Sequence, residues 1–206
     1  YIYEKYNKKS RLIEYGGDHV IKGINLSERT STLYKIEKRK YAFKVCRIEP
    51  ENNISLILES FKNNKMNLVI VGNWNYSKYG ENLRIQYSLC NNIQMLDAIY
   101  DQVILDELRN NCLIYIHGHT VGGTNPSLVE AMSLGLAVVT FNVPFNVVTT
   151  EKEALFFSNS SELIKLLNNI SDNKIDLDLV RKKMSQIANR RYVWDIVTNK
   201  YAELFL

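Results

Sequence analysis

Cysteine and histidine are scarce in this 206-residue chain, and each scarcity excludes a class of protein. The three cysteines, Cys46, Cys90 and Cys112, have neither zinc-ligand spacing nor the density of a disulfide framework. Reduced thiols in a cytoplasmic protein are the expectation. The three histidines stand apart from acidic clusters, so no metal is expected. No apolar run approaches the ~20 residues that a bilayer span needs, and no signal-peptide pattern precedes the first strand. Repeats and low-complexity tracts are absent as well. The net charge of +4 is mild. It fits a nucleoside-diphosphate ligand or an anionic membrane surface, and no nucleic-acid partner is expected.

What is present is one organising stretch, HGHTVGGTNPSLVEAMSLGLAVVTFNVP, at residues 117–144. It follows an apolar strand at residues 112–116 and opens with the paired glycines Gly122 and Gly123. Thr124, Asn125 and Pro126 then start a helix, because Asn is a good N-cap and Pro fits the first helical position. Leu128, Val129 and Met132 give this helix an apolar face, and Gly135 ends it before a strand at residues 136–141. Strand, glycine loop, capped helix and strand make one βαβ unit with an anion-ready helix N-terminus. Glu130 lies just past the first turn, and helical side chains lean toward the N-terminus, so it aims back at the loop. There it is either an acceptor for paired hydroxyls, as a ribose presents, or a solvated glutamate near a favourable dipole.

Further strands are expected at residues 41–46, 68–71, 93–96 and 154–157. Helical patterns stand between them, with Val103, Ile104 and Leu108 on one side of the helix at 101–111, and Ser160 caps a later helix as Ser-Ser-Glu-Leu. The fold class is therefore α/β, a doubly wound parallel sheet of Rossmann-like type. Arg47 follows the first strand at the carboxyl edge where such sheets bind ligands; it is either a phosphate contact or a surface ion pair. Asp101 is a helix cap or a ligand. His117 reads as a backbone-satisfied histidine at a strand end, while His119, deeper in the loop, can reach a sugar or phosphate. The polar stretch from Ser27 to Lys40, with its charged run Glu37-Lys-Arg-Lys40, reads as a solvated linker or a peripheral membrane contact.

The run GGTNPSLVEAMSLGLAVVTFNVPFN resembles the donor-binding motif of retaining-type GT-B glycosyltransferases, and the HGHTVGGTNP variant resembles their bacterial polysaccharide rhamnosyltransferase branch. The resemblance spans roughly residues 40–158. It implies one half of a GT-B enzyme: a linker and remnant of the N-terminal domain at 1–40, a donor-binding domain at 41–190, and a C-terminal crossover helix at 191–206. It also implies transfer of a hexosyl or deoxyhexosyl group, rhamnose being the candidate, from a nucleoside-diphosphate sugar to a saccharide or lipid-linked acceptor in surface polysaccharide synthesis, without metal or cofactor. Work on such acceptors is expected at the inner face of the membrane. Arg47 would serve catalysis by holding the diphosphate. Glu130 would bind the ribose, Ile99 the nucleobase, and His119 and the stretch Gly122, Gly123, Thr124 and Asn125 the sugar and phosphates. Two positions depart from the family pattern: Gly122 stands where the first of two glutamates is usual, and Asn53 where a lysine is usual.

Alternatives are a GT-B sugar-nucleotide 2-epimerase and a partner domain that binds nucleotide sugar without transferring it. Tyr1 in place of Met, and a helix caught mid-stride at residues 1–10, suggest a fragment that lacks its N-terminal domain and is inactive alone. The segment from Tyr192 to Tyr201 is either a crossover helix, with Tyr192, Trp194 and Tyr201 exposed for docking on that domain, or a helix packed on its own sheet.

Overall fold

A computed structural model describes residues 2–205; Tyr1, the expected start of the interrupted helix, lies outside them. In chain order the elements are α1 (Ile2–Tyr6), α2 (Glu28–Tyr34), β1 (Tyr41–Val45), α3 (Ile54–Phe61), β2 (Asn67–Val71), α4 (Lys78–Gln86), β3 (Ile93–Leu96) and α5 (Gln102–Asn110). They continue with β4 (Ile114–His117), α6 (Pro126–Ser133), β5 (Val138–Phe141), α7 (Pro144–Thr149), β6 (Leu155–Phe157), α8 (Ser160–Ser171), α9 (Leu177–Arg191) and α10 (Trp194–Ala202). Single 3₁₀ turns sit at Pro50–Asn52 and Trp74–Tyr76.

The six strands form one sheet of order β3-β2-β1-β4-β5-β6, and every pairing is parallel. This is the doubly wound arrangement expected from the sequence. The strand order reverses between β1 and β4, where ligands bind in such sheets. A parallel sheet is covered on both faces, so its strands are continuously apolar: Leu68, Val69, Ile70 and Val71 of β2 are all buried. Ile54, Ile57, Leu58 and Phe61 form the buried face of α3. Each such side chain contributes about 1.5–3 kcal/mol relative to exposure. The tail keeps its expected face as well, with Val180, Met184, Ile187 and Ala188 of α9 buried.

Several local expectations are corrected. The polar stretch after Ser27 contains helix α2, begun by the Ser27 side chain accepting from the Thr30 N–H. It carries no apolar period, so only its cap betrays it. Asn159, not Ser160, caps α8: its side chain accepts from the Glu162 N–H, and Glu162 accepts in return from the Ser158 N–H. On α5 the buried residues are Asp106, Glu107, Leu108 and Arg109, while Val103 is exposed. Asp101 is the cap of that helix, accepting from the N–H groups of Val103 and Ile104. Tyr192 is fully buried, with its hydroxyl donating to the Thr149 carbonyl at 3.0 Å; only Trp194 and Tyr201 are exposed.

Candidate functional site

Two adjoining cavities open at the carboxyl ends of the strands. The first, of about 460 Å³, lies over β1, β2 and β3, and its walls include Ile48, Val71, Gly72, Tyr76, Ile99 and Tyr100. Trp74, the residue after Asn73 of this wall, is a fully buried ring whose indole N–H donates to the Leu96 carbonyl at 2.9 Å. Gly72 is required by close approach: a Cβ there would stand 2.6 Å from the Cys46 carbonyl oxygen. The second cavity, of about 340 Å³, lies between β1 and α6 and is polar, lined by Asn52, Arg109, His119, Asn125, Ser127 and Glu130 among others. Val45, Cys46 and Arg47 line both, so the end of β1 is the ridge between two lobes of one cleft.

Arg47 stands on that ridge with its side chain 74% exposed, and its guanidinium lies 3.3 Å from Glu49 and 3.7 Å from Glu51. At that exposure the pairing holds it only weakly, and the side chain is free to turn into either lobe. Contact with Glu51 pushes the Glu49 carboxyl above its usual range. Across the polar lobe, the Asn125 side chain accepts from the Ser127 N–H at 3.1 Å and so opens α6 as expected.

Glu130 is not the solvated glutamate of one expectation: its carboxylate is mostly enclosed and already has two partners. Arg109 Nη2 lies 2.6 Å from one of its oxygens and His19 Nε2 lies 3.3 Å from the other. Arg109 is nearly buried and is also held by buried Asp106 at 3.4 Å. A guanidinium so enclosed requires such partners, since an isolated buried charge is strongly unfavourable. Sequence reasoning missed Arg109 and His19. The i,i+3 pair of Asp106 and Arg109 on a helix packed against the core was the available signal for the first; nothing local marks the second.

The remaining expected residues divide. Ile99 lines the apolar lobe and His119 the polar one. The His119 ring is 3.1 Å from the Asn52 side-chain oxygen, and burial, then nearby Lys44, press its pKa below the usual value. His117 is fully buried, and burial holds its pKa well below the ordinary histidine value. Its Nε2 has no hydrogen-bond partner among the described residues, so the expected backbone satisfaction does not extend to that atom. Asn53 lines neither lobe. It adopts a left-handed conformation with φ 51° ahead of α3, and its amide donates to the Gly118 carbonyl at 2.8 Å. Its neighbour Asn52 faces the polar lobe instead. Gly122, Gly123 and Thr124 also line neither lobe; they lie in the loop between His119 and Asn125, which both line the polar one. Gly122 has φ +95°, which an L side chain rarely adopts.

Among the described residues no helix is long and apolar enough to cross a membrane, and no cluster of side chains could hold a metal ion. Cys46, Cys90 and Cys112 are all free.

Known structures share this architecture. Anabaena Alr3699/HepE in complex with UDP superposes with a TM-score of 0.73 at 17% identity, covering 89% of this chain and 55% of that one. Sucrose-phosphate synthase (tll1590) from Thermosynechococcus elongatus gives 0.77 at 15%, covering 99% of this chain and 54% of the other. TarM gives 0.67 at 15%, with 90% and 38% covered. This chain thus spans about half the length, or less, of these neighbours, and at such identities they share its fold: one Rossmann-like domain of a GT-B architecture. A search of curated proteins finds no match. The sequence pattern of the family described as glycosyl transferases group 1 matches residues 29–191, most of the chain, and the chain belongs to that family.

Proposed function

We propose that this domain binds a nucleoside-diphosphate sugar across the two lobes. The nucleobase lies in the apolar lobe near Ile99, the ribose at Glu130, the diphosphate at Arg47, and the sugar against the loop of Gly122, Gly123 and Thr124. The observation that carries this reading is the position of Arg47 on the ridge shared by both cavities, at the switch point of the sheet. When the glycosidic bond breaks, its electron pair leaves with the diphosphate, and a guanidinium there stabilises the growing charge. A Cβ at Gly122 or Gly123 would meet nothing within 4 Å, so this loop is open and a ligand could approach it.

The whole protein, on this reading, transfers a hexosyl or deoxyhexosyl group, with rhamnose the candidate, to a saccharide or lipid-linked acceptor in bacterial surface polysaccharide synthesis at the cytoplasmic side of the membrane. It does so without a metal. A second domain would supply the acceptor site, so this chain alone binds donor without turnover. HepE, whose structures hold UDP and UDP-glucose, supports the choice of UDP as first probe. A partner domain that binds without transferring is favoured by one observation, the glycine at position 122 where the family carries an acid. The epimerase alternative needs a set of acid and base groups, yet Glu130, the one carboxylate lining the polar lobe among the described residues, is already tied to Arg109.

Calorimetry with UDP tests the reading. The unaltered chain should bind, and Arg47→Ala should lose about 1.5–3 kcal/mol, the range for hydrogen bonds to a charged group. Undiminished affinity in that variant would remove Arg47 from the site.

A further inference from the structure

Residues 14–19 run behind the polar lobe, and two glycines let them pass. A Cβ on Gly17 would stand 2.5 Å from the Val129 carbonyl oxygen of α6, and one on Gly16 would stand 2.6 Å from the Trp194 ring. Only a chain without side chains at both positions fits between α6 and the start of α10. The Gly17 N–H donates to the Tyr192 carbonyl and the Asp18 carboxylate accepts from the Trp194 backbone N–H, both at 2.8 Å.

This passage delivers His19 to Glu130. Its Nε2 lies 3.3 Å from one carboxylate oxygen, while its Nδ1 accepts from the Trp194 indole N–H at 3.2 Å. An indole N–H only donates, so the ring proton sits on Nε2 and faces the carboxylate. Arg109 approaches the other oxygen at 2.6 Å. An ionised carboxylate offers about four acceptor positions. With one taken on each oxygen, one on each is left for a ligand, and a ribose presents two adjacent hydroxyls.

We propose that His19, with its tautomer fixed by Trp194, is a positioning residue that sets the rotation of the Glu130 carboxylate for the paired hydroxyls of a ribose. The inference rests on the nucleotide-binding reading above. It ties hydroxyl recognition to the crossing of residues 14–19 with α10, two segments that lie at opposite ends of the chain.

The test is calorimetry with UDP and 2′-deoxy-UDP on the unaltered chain and on His19→Phe, His19→Gln, Glu130→Gln and the double variant His19→Phe/Glu130→Gln. His19→Phe should weaken UDP about five-fold, in keeping with the loss of one modest hydrogen bond, and weaken 2′-deoxy-UDP far less. In the Glu130→Gln background it should have no further effect, because residues that act through one another are not additive. His19→Gln keeps an N–H at similar reach and should recover most of the preference for ribose. Equal losses for both nucleotides, a His19→Phe effect that persists without the Glu130 carboxylate, or a Gln variant as poor as Phe would each overturn the inference while leaving nucleotide binding intact. If the unaltered chain binds neither nucleotide, the functional reading itself fails and this inference falls with it.

Discussion

The two lobes of the cleft solve recognition in opposite ways. The lobe over β2 and β3 is built from Ile48, Val71, Ile99 and Tyr100, and it offers shape and apolar surface. The lobe beside α6 is built from charges that already have partners: Arg109 with Asp106 and Glu130, and on the ridge Arg47 with Glu49 and Glu51. A ligand enters the first lobe by displacing water, whereas in the second it must compete with carboxylates. The difference teaches where selectivity can arise. An apolar pocket discriminates weakly between ligands of similar outline, but a polar one penalises any ligand that fails to replace the contacts it disturbs.

The contrast can be broken most severely in the core, at the residue that follows Asn73 of the apolar lobe. Trp74→Ala removes a fully buried ring and its bond to the Leu96 carbonyl. Urea unfolding should register a loss of about 3–5 kcal/mol, the usual range for truncating a core aromatic. An unmoved unfolding midpoint would show that Trp74 is not part of the stabilising core.

A smaller effect sharpens the division of labour. Uridine lacks phosphates, so Arg47→Ala should leave its affinity unchanged while UDP weakens by about 1.5–3 kcal/mol. Parallel losses for the nucleoside and the nucleotide would mean that Arg47 does not act on the phosphates.

The smallest expected effect concerns pH. Burial raises the pKa of Glu14, but the Lys200 ammonium at 2.6 Å, helped by Arg191 at 3.4 Å, outweighs this and leaves it below the usual 4.5. A depressed carboxylate contributes stability that is fully present above 4.5 and is lost as pH falls through the lower folded value. Glu14→Gln should therefore destabilise the protein by about 1–2 kcal/mol at neutral pH. The gap between the two proteins should close as the pH drops below 4.5. Chemical denaturation at neutral pH and near pH 3 compares them, and a gap that does not narrow would detach Glu14 from this ion pairing. Trp74, which does not titrate, should show no such narrowing.

The elements that sequence reasoning recovered are those whose signal is local. The strands β1 to β6 are short apolar runs, and α6 announces itself through Asn125, Pro126 and the closing Gly135. Arg47 and Ile99 could be placed because a strand end in a parallel sheet is itself a position in the site. What escaped depends on contacts distant in sequence. Tyr192 looks like an exposed helix-end aromatic until the Thr149 carbonyl is seen beneath it. Gly16 and Gly17 carry no local sign of their role, which is close approach to Trp194 and α6. Asn53 was expected among the site residues, yet its left-handed backbone and its bond to Gly118 turn it away, and Asn52 faces the lobe instead. A single-residue shift of this kind follows from the 3₁₀ turn at Pro50–Asn52, which no periodicity foretells.

The ion pairs of Glu14 with Arg191 and Lys200 carry a kinetic consequence, because they join residues 177 and 186 positions apart. The entropic penalty of closing so long a loop grows only logarithmically with its length, but contacts of such separation do not form before the intervening chain has compacted. On this ground the sheet is expected to assemble first. The segment holding His19 then docks as a late event of folding, and native-state hydrogen exchange should find that the Gly17 amide opens well before those of β1 and β2.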